Sequence, residues 1–291
     1  MGVTPLFGFL NVDKPLGMTS HDVVAKVRRA SGEKKIGHAG TLDPLASGVL
    51  ILCVGAATRL SDYVMHATKR YRARVRLGAV TATYDAEGAV IRARDASHIT
   101  QEQVEQALGV FRGAIEQVPP MYSAIKQGGK KLYEIARAGE TVEREPRKVE
   151  ITALTLSDWA APEFTLDVTC SAGTYMRSLA YDIGETLGVG AYLAGLTRTA
   201  SGRFTLENAV PLDTLLADPA RYVIAPKTAL ADYPSLLLDA AAEDDITHGR
   251  SIASDVSDGI TAMAYSAADE NRLIAVVQAE NGRLKPQKVF A

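Results

Sequence analysis

The 291-residue sequence is poor in the residue types that build disulfides and metal sites. It has only two cysteines, Cys53 and Cys170, which lie far apart in apolar or strand-like surroundings, and its five histidines are scattered. No CxxC or HxxxH spacing occurs. We therefore expect buried free thiols, no metal site and a reducing compartment, which points to the cytoplasm.

Long apolar runs and a secretory signal are also missing. The longest apolar stretches fall well short of the ~20 residues that a membrane-spanning helix needs. The N-terminus has no basic segment followed by an apolar one, so we expect neither export nor membrane association. A chain of 291 residues is long enough for one large domain and a small one.

The chain has no net positive charge, since its formal net charge is −2. That average conceals a gradient. With 12 lysines and arginines against 5 carboxylates, residues 1–76 carry +7, whereas residues 77–203 carry −3 and residues 204–291 carry −6. A basic N-terminal segment favours a polyanionic partner such as nucleic acid, although a chance cluster of solvated surface charges gives the same pattern.

Strand and helix patterns interleave along the chain without regular βαβ spacing. This favours an α+β fold with a mixed or antiparallel sheet. The predicted elements are a helix from Thr19 or Ser20 to about Ala30, a helical or mixed segment over 46–66, a strand over 69–78, a helix from Thr100 to about Arg112, a flexible basic loop over 127–131 followed by a helix to Ala138, strands over 147–157 and 163–170, and a helix from about Thr174.

A change in composition divides the chain near residue 232. Four prolines punctuate residues 206–234, and the sequence beyond them reads as short strands with a turn at Asn281 and Gly282. We predict a large domain over 1–232, including a linker from about 206, and a small β-rich domain over 233–291. The pocket candidates all precede the boundary, so we also expect 1–232 to assemble the pocket without the tail.

The segment GHAGTLDPLASG, residues 37–48, places one carboxylate in a constrained loop. Glycines and a proline close to Asp43 indicate a specific turn rather than free coil. The apolar run over 49–54 anchors the loop in a core. Taken alone, Asp43 is more simply explained as an Asp-Pro turn or a helix N-cap that bonds a backbone amide.

The whole string resembles the catalytic loop of the TruB family of transfer-RNA pseudouridine synthases. Five further blocks in the family's order extend this resemblance over most of residues 8–204. They are GFLNVDKPLGMTSHD (8–22), KRYR (69–72), PPMYSAIK with KLYE (119–126 and 131–134), GTYMR (173–177) and LTRT (196–199). Ala39 and Thr197 depart from the usual pattern, but neither position supplies chemistry.

The resemblance implies a pseudouridine synthase catalytic domain followed by a small PUA-like RNA-binding domain. It also implies an isomerase that converts uridine 55 in the T arm of tRNA to pseudouridine, as a stand-alone monomer without cofactor or protein partner. The alternatives are a catalytically silent RNA-binding or RNA-folding protein and a guide-dependent relative that acts on ribosomal RNA. The long segment 79–150 resembles the stand-alone form.

By the same resemblance, Asp43 is the nucleophile beside the ribose and Arg177 keeps it ionised and oriented. An arginine in the first turn of a helix opposes the helix dipole, which favours such a specific role over a surface charge. Tyr71 would stack on the uracil and help to deprotonate it. On residue type alone, Tyr71 could equally be a core residue, because it shares a strand face with Ala73.

The remaining implied site residues bind the RNA. Tyr175 and Leu196 resemble walls of the base pocket, although Leu196 alone would be a routine core leucine. His38 would fill the gap left when the uridine is flipped out, although alone it would be an ordinary loop histidine. Arg59 is a candidate phosphate contact. The other candidate phosphate contacts are Arg70, Arg72, Lys126, Lys130 and Lys131.

Overall fold

The computed structural model of the protein describes residues 6–123 and 125–290. Its strands are β1 (Gly8–Lys14), β2 (Ile36–His38), β3 (Ala46–Val54), β4 (Lys69–Leu77), β5 (Ala79–Thr81), β6 (Val90–Ala93), β7 (Gly113–Gln117), β8 (Lys126–Gln127), β9 (Lys130–Lys131), β10 (Arg147–Ala160), β11 (Glu163–Cys170), β12 (Ala191–Ser201), β13 (Phe204–Thr205), β14 (Val210–Pro211), β15 (Ser235–Leu238), β16 (Ile252–Ala253), β17 (Thr261–Ser266), β18 (Leu273–Glu280) and β19 (Arg283–Val289).

Helices connect these strands. The α-helices are α1 (Ser20–Ser31), α2 (Ser61–Met65), α3 (Gln101–Ala107), α4 (Leu132–Arg137), α5 (Met176–Thr186), α6 (Leu212–Ala217), α7 (Pro226–Ala229) and α8 (Ala240–Thr247). Short 3₁₀ helices cover Gly55–Leu60, Leu108–Phe111, Leu206–Asn208 and Pro219–Tyr222.

A mixed sheet forms the large domain. Its strand order is β14-β1-β3-β12-β4-β11-β10-β7, with β2 paired to β3 and β13 paired to β12. Strand β12 comes late in the chain but lies between β3, to which it is parallel, and β4, to which it is antiparallel. The observed mixed sheet confirms the predicted α+β class.

Strand β4 shows why the alternating pattern predicts a half-buried strand. Ala73, Val75 and Leu77 are buried on one face, while the arginines between them are exposed. Those arginines lie opposite carboxylates of β11: the distances are 3.0 Å from Arg72 to Asp167, 3.4 Å from Arg74 to Glu163 and 3.4 Å from Arg76 to Glu163. Much of the basic face of β4 is therefore paired within the protein.

The segment predicted as helical or mixed over 46–66 begins as a strand, β3, and becomes helical only from Gly55. Residues Val49–Val54 are fully buried because two separate hydrophobic clusters cover the two faces of β3. A strand buried on both faces has no alternating pattern, so its sequence resembles that of a buried helix.

Other predicted elements hold with small differences. A capping box at Thr19 begins α1, and one at Thr100 begins α3. The expected flexible loop over 127–131 is instead the tight hairpin of β8 and β9, with α4 directly after it. Helix α5 begins at Met176, two residues later than expected.

The C-terminal residues form a separate small sheet, with the strand order β15-β17-β18-β19-β16. Helix α8 packs against it through Ile246, which belongs to this sheet's own hydrophobic cluster. The β18–β19 turn has positive φ at Asn281 and Gly282, as the Asn-Gly pair predicts. A C-terminal β-rich domain is thus present, and its division from the rest at 232/233 stays a prediction.

The two sheets share one hydrophobic cluster. Met263, Tyr265 and Val276 from the small sheet pack with residues of the large domain, among them Val49 and Ile51 of β3. Polar contacts border this cluster. The Arg59 guanidinium donates to the Val289 carbonyl oxygen at 2.6 Å, and the Lys288 ammonium donates to the Arg59 carbonyl oxygen at 2.7 Å.

Removal of residues 233–291 is therefore expected to destabilise the large domain, because it exposes the outer face of β3 to water. We expect Tm to fall by more than about 10 °C and the fragment 1–232 to aggregate on size-exclusion chromatography. In the control K288A, the hydrogen bond from Lys288 to the Arg59 carbonyl oxygen is lost but the shared hydrophobic cluster remains, so Tm should change little. A monomeric fragment with unchanged Tm would contradict this expectation; whether 1–232 keeps the chemical step stays a prediction.

Candidate functional site

The loop that carries Asp43 joins β2 to β3 and is held at its tip by the start of α1. The Ser20 hydroxyl is buried, accepts a hydrogen bond from the Leu42 N–H at 2.8 Å and donates to the Leu42 carbonyl oxygen at 3.0 Å. The Gly17 N–H donates to the Pro44 carbonyl oxygen at 2.9 Å. These contacts bring the first sequence block against the loop that contains Asp43.

Lys14 fixes the turn that makes this contact. Its side chain is fully buried, and its ammonium donates to the carbonyl oxygens of Pro15 at 2.8 Å and Met18 at 2.7 Å. Burial lowers the pKa of Lys14 to about 8, against the opposing effect of the Asp43 charge. Sequence reasoning gave Lys14 no role of its own.

An ion pair joins Asp43 to Arg177. The distance from Arg177 Nη2 to Asp43 Oδ2 is 2.9 Å, and the arginine side chain is 8% exposed whereas the aspartate is 43% exposed. The same Nη2 donates to the Tyr122 carbonyl oxygen at 2.8 Å, and Nη1 donates to the Thr83 carbonyl oxygen at 3.4 Å. The guanidinium is thus fixed from several directions while the carboxylate faces the open side.

Asp85 completes this network, and sequence reasoning gave it no role. It is buried, and its Oδ2 lies 3.6 Å from Arg177 Nη1. Its Oδ1 accepts hydrogen bonds from the Thr83 hydroxyl and the Glu87 N–H. Asp85 therefore contacts Arg177 through Nη1, while Asp43 contacts it through Nη2.

Tyr71 and Leu196 occupy neighbouring central strands beside this pair. Both are half-buried and pack against the two hydrophobic clusters of the large domain. Burial raises the pKa of Tyr71, and the positive charge of Arg198, its cross-strand partner on β12, opposes that rise. The charge of Asp43 contributes to the same rise in the pKa of Tyr71.

Tyr175 lies at the start of α5, one residue before its first turn. The side chain of Gln117 holds its backbone: Oε1 accepts from the Tyr175 N–H at 2.9 Å and Nε2 donates to the Tyr175 carbonyl oxygen at 3.3 Å. Burial raises the pKa of the Tyr175 hydroxyl, which also feels the charge of Asp43. Tyr175 and Arg177 thus reach the site from one helix terminus.

His38 lies at the end of β2, and its ring faces His21 edge-on at a centroid distance of 5.0 Å. Burial, with the charges of His21 and Arg198, lowers the pKa of His38 to about 4. The imidazole is therefore neutral at neutral pH.

We expect His38 to make the protein less stable as pH falls. Its native pKa of about 4 lies below its ordinary value of 6.5, so the unfolded chain binds a proton in that interval and the native state does not. The free energy of unfolding should fall more between pH 6.5 and pH 4 in the wild type than in H38Q. Urea unfolding at several pH values measures this, with H66Q at an exposed position as control. Equal slopes in wild type and H38Q would refute it.

The structure does not bring Arg59 into the cluster around Asp43. Its guanidinium lies over the Phe290 ring at 4.8 Å and donates to Val289, so it faces the small domain. Arg70 and Lys130 are exposed, and Arg72 is paired with Asp167. The side chains of Lys126 and Lys131 lie outside the described part. As phosphate contacts, all of these residues stay predictions.

In the described part of the chain, no group of three or more histidine, cysteine or carboxylate side chains could hold a metal ion. Within residues 6–123 and 125–290, no helix is long and apolar enough to cross a membrane. Both Cys53 and Cys170 are buried free thiols, with pKa values raised by burial to about 12 and about 11.

Comparison with solved structures supports the fold. The chain superposes on a Cbf5–Nop10–Gar1 complex with a TM-score of 0.77 and 26% identity, covering 98% of this chain and 85% of the other. It superposes on an H/ACA ribonucleoprotein bound to a substrate RNA containing 2′-deoxyuridine with a TM-score of 0.75 and 25% identity, at the same coverage.

Sequence comparison is closer. A tRNA pseudouridine synthase B of Symbiobacterium thermophilum is 52% identical over 83% of this chain and 82% of its own length. The enzyme of the same name from Burkholderia mallei is 48% identical over 98% of this chain and 97% of its own. The model of the TruB family pseudouridylate synthase N-terminal domain matches residues 28–176, and that of the tRNA pseudouridylate synthase B C-terminal domain matches residues 177–232. The chain belongs to the TruB family of pseudouridylate synthases.

Proposed function

We propose that this protein converts uridine 55 in the T arm of tRNA to pseudouridine, without a guide RNA, and that Asp43 is its nucleophile. One observation carries the assignment of Asp43: it is a half-exposed carboxylate paired with a nearly buried guanidinium. The relatives named tRNA pseudouridine synthase B support the choice of RNA.

The reaction needs little beyond such a site. The bond between ribose C1′ and uracil N1 breaks, the uracil turns, a bond forms between C1′ and C5, the C5 proton leaves and N1 gains a proton. No electrons enter or leave. Asp43 acts on the ribose, while Arg177 orients the carboxylate and stabilises its charge at short range.

The aromatic residues fit the uracil half of the substrate. Tyr71 offers a ring face to stack on the base and a hydroxyl that can take part in the removal of the C5 proton. Tyr175 and Leu196 form adjoining walls. Because the target base is buried in a folded RNA loop, it must be extruded, and His38 fills the space it leaves. A neutral His38 can stack there without the cost of burying a charge.

The alternative, a catalytically silent RNA-binding protein, has less support. An unneeded carboxylate facing phosphates would weaken RNA binding by repulsion. Here Asp43 is half-exposed, and a second carboxylate, the buried Asp85, also contacts its partner Arg177. A protein that only binds RNA gains nothing from this arrangement.

In our proposal, the small domain contributes to tRNA binding through a limited contact surface. Its cations are largely paired within the protein: Arg250 with Asp244 and Asp245, and Lys285 with Glu280. We therefore do not assign it a broad electrostatic attraction for RNA. We assign it a limited contact with a part of the tRNA remote from the target loop.

The direct test uses the wild-type protein and unmodified tRNA in buffer without any cofactor. Base-resolved chemical mapping should show pseudouridine at position 55 alone, and an isolated T-arm hairpin should also be modified. A tRNA with cytidine at that position is the matched control. If modification occurs at another position, the substrate assignment is wrong; if tRNA binds and no position is modified, the silent binding protein is the better account.

A further inference from the structure

Arg198 lies where the central strands of the large sheet meet. It pairs with Gly48 of β3 on one side and with Tyr71 of β4 on the other, so one residue of β12 spans the two strands that carry the site. Its side chain is large and only 1% exposed. Sequence reasoning placed Arg198 in a family block and gave it no role.

The guanidinium of Arg198 reaches both flanks of the loop that contains Asp43. Nη2 donates to the Gly40 carbonyl oxygen at 3.1 Å and Nη1 to the Thr41 carbonyl oxygen at 3.4 Å, which lie before Asp43 in the chain. Nε donates to the Val49 carbonyl oxygen at 2.7 Å, after Asp43. A planar fork with donors in fixed directions sets the distance between the two flanks.

These three acceptors are backbone carbonyls, which carry no formal charge to balance the buried cation. Burying a guanidinium in this way is costly, so a residue used only for packing would be apolar. The charge also acts on the surrounding groups, because Arg198 affects the titration of Tyr71, His38, Lys14 and Lys69.

Two glycines on either side of Asp43, Gly40 in the loop and Gly48 in β3, fit the same arrangement. Gly48 has φ +94°, and a Cβ there would lie 2.3 Å from the Arg198 carbonyl oxygen, so no other residue allows the strands to approach so closely. Gly40 has φ +109°, and a Cβ there would lie 3.5 Å from Arg198 Nη1. Gly48 is thus required for the close approach of β3 to Arg198, and Gly40 for the positive φ of the loop.

We propose that Arg198 is a positioning residue that fixes the Asp43 loop relative to β4, where Tyr71 is its cross-strand partner, for the isomerisation. It touches neither the ribose nor the uracil in this role. It acts through the carbonyls of residues 40, 41 and 49 and through the backbone pairing that sets it opposite Tyr71. The expected effect of Arg198 on the reaction rate rests on the proposed function. Its expected effect on the loop rests on the structure alone.

The test compares R198K and R198M with R112M. Arg112 also fastens backbone with a guanidinium, because its Nε and Nη2 donate to the Leu154 carbonyl oxygen at 3.1 and 2.9 Å, but it contacts neither the Asp43 loop nor Tyr71. For each variant we measure Tm, the Kd for tRNA, the single-turnover rate at saturating tRNA, and hydrogen exchange of the Ala39 and Ala46 amides, which are hydrogen-bonded in the native loop.

We expect the single-turnover rate of R198K to fall at least about 30-fold, with Kd within about threefold of wild type, because a point charge cannot bridge the two flanks. Exchange of the two loop amides should accelerate in both Arg198 variants and stay at the wild-type rate in R112M. If R198K loses Tm but keeps rate and loop protection, Arg198 is merely structural and the proposal is wrong.

Failure of the proposed function gives a different result. If the wild type forms no pseudouridine while the loop amides still lose protection in R198K, the function is wrong and the positioning arrangement stands. If the loop amides are unaffected in both Arg198 variants, the positioning proposal fails whatever the activity. R198M alone could fail to fold, and R198K, which keeps the charge and most of the volume, then decides.

Discussion

Replacement of Asp43 with asparagine should abolish pseudouridine formation and leave tRNA binding within a few-fold of wild type. The amide keeps the shape of the side chain, but it cannot act on the ribose as a carboxylate does. It also removes a negative charge that faces a polyanion on the open side of the site. Binding should therefore not weaken, and loss of turnover will be an effect on chemistry.

The measurement is a single-turnover assay with saturating tRNA, beside a binding isotherm for each protein. D167N provides the control, because Asp167 is an exposed carboxylate paired with Arg72 on the outer face of β4. It should keep wild-type turnover. Residual activity of D43N above about a tenth of wild type is incompatible with a nucleophilic role, since loss of a nucleophile costs orders of magnitude.

Replacement of Arg177 with lysine should reduce the single-turnover rate about 100-fold despite the conserved charge. The guanidinium contacts Asp43 and Asp85 from separate nitrogens and donates to two backbone carbonyls besides. An ammonium is a single point and cannot serve both carboxylates in these directions. Misplacing a partly buried charge pair costs about 2–5 kcal/mol, and each 1.36 kcal/mol is tenfold in rate.

R74K is the matched control for this prediction. Arg74 also pairs with a carboxylate, Glu163 at 3.4 Å, but on the exposed face of β4, where such pairs contribute little. Its rate and Kd should both stay near wild type. A normal rate with weak binding in R177K would instead identify Arg177 as a phosphate contact, which is why rate and binding are measured separately.

Much of the large domain was predictable because its signals are local. The alternation along β4 and the capping boxes at Thr19 and Thr100 depend on residues close in sequence. Strand β3 could not be predicted in this way, because the burial of both its faces depends on distant segments that pack over it. Its helical or mixed interpretation was reasonable from the run of apolar residues alone.

The residues of the site also fall into those that the sequence indicated and those that it did not. Asp43, Tyr71 and Arg177 stand in recognisable blocks, and the structure pairs Asp43 with Arg177. Asp85 looks like a turn residue, because its burial arises only when its hairpin meets α5, more than 90 positions away. Arg198 was equally hidden, since its bonding partners in the Asp43 loop lie about 150 residues earlier. Single-sequence patterns carry no trace of such distant pairs.

The insertion of β12 between β3 and β4 also decides when the site can exist during synthesis. The ribosome releases Asp43 early, but the strand that holds its loop contains Arg198 and emerges only after two-thirds of the chain. Until then β3 and β4 lack the neighbour that lies between them, and non-local pairing of this kind forms late. A nascent chain therefore carries Asp43 in an unarranged loop until more than two-thirds of the protein has been made.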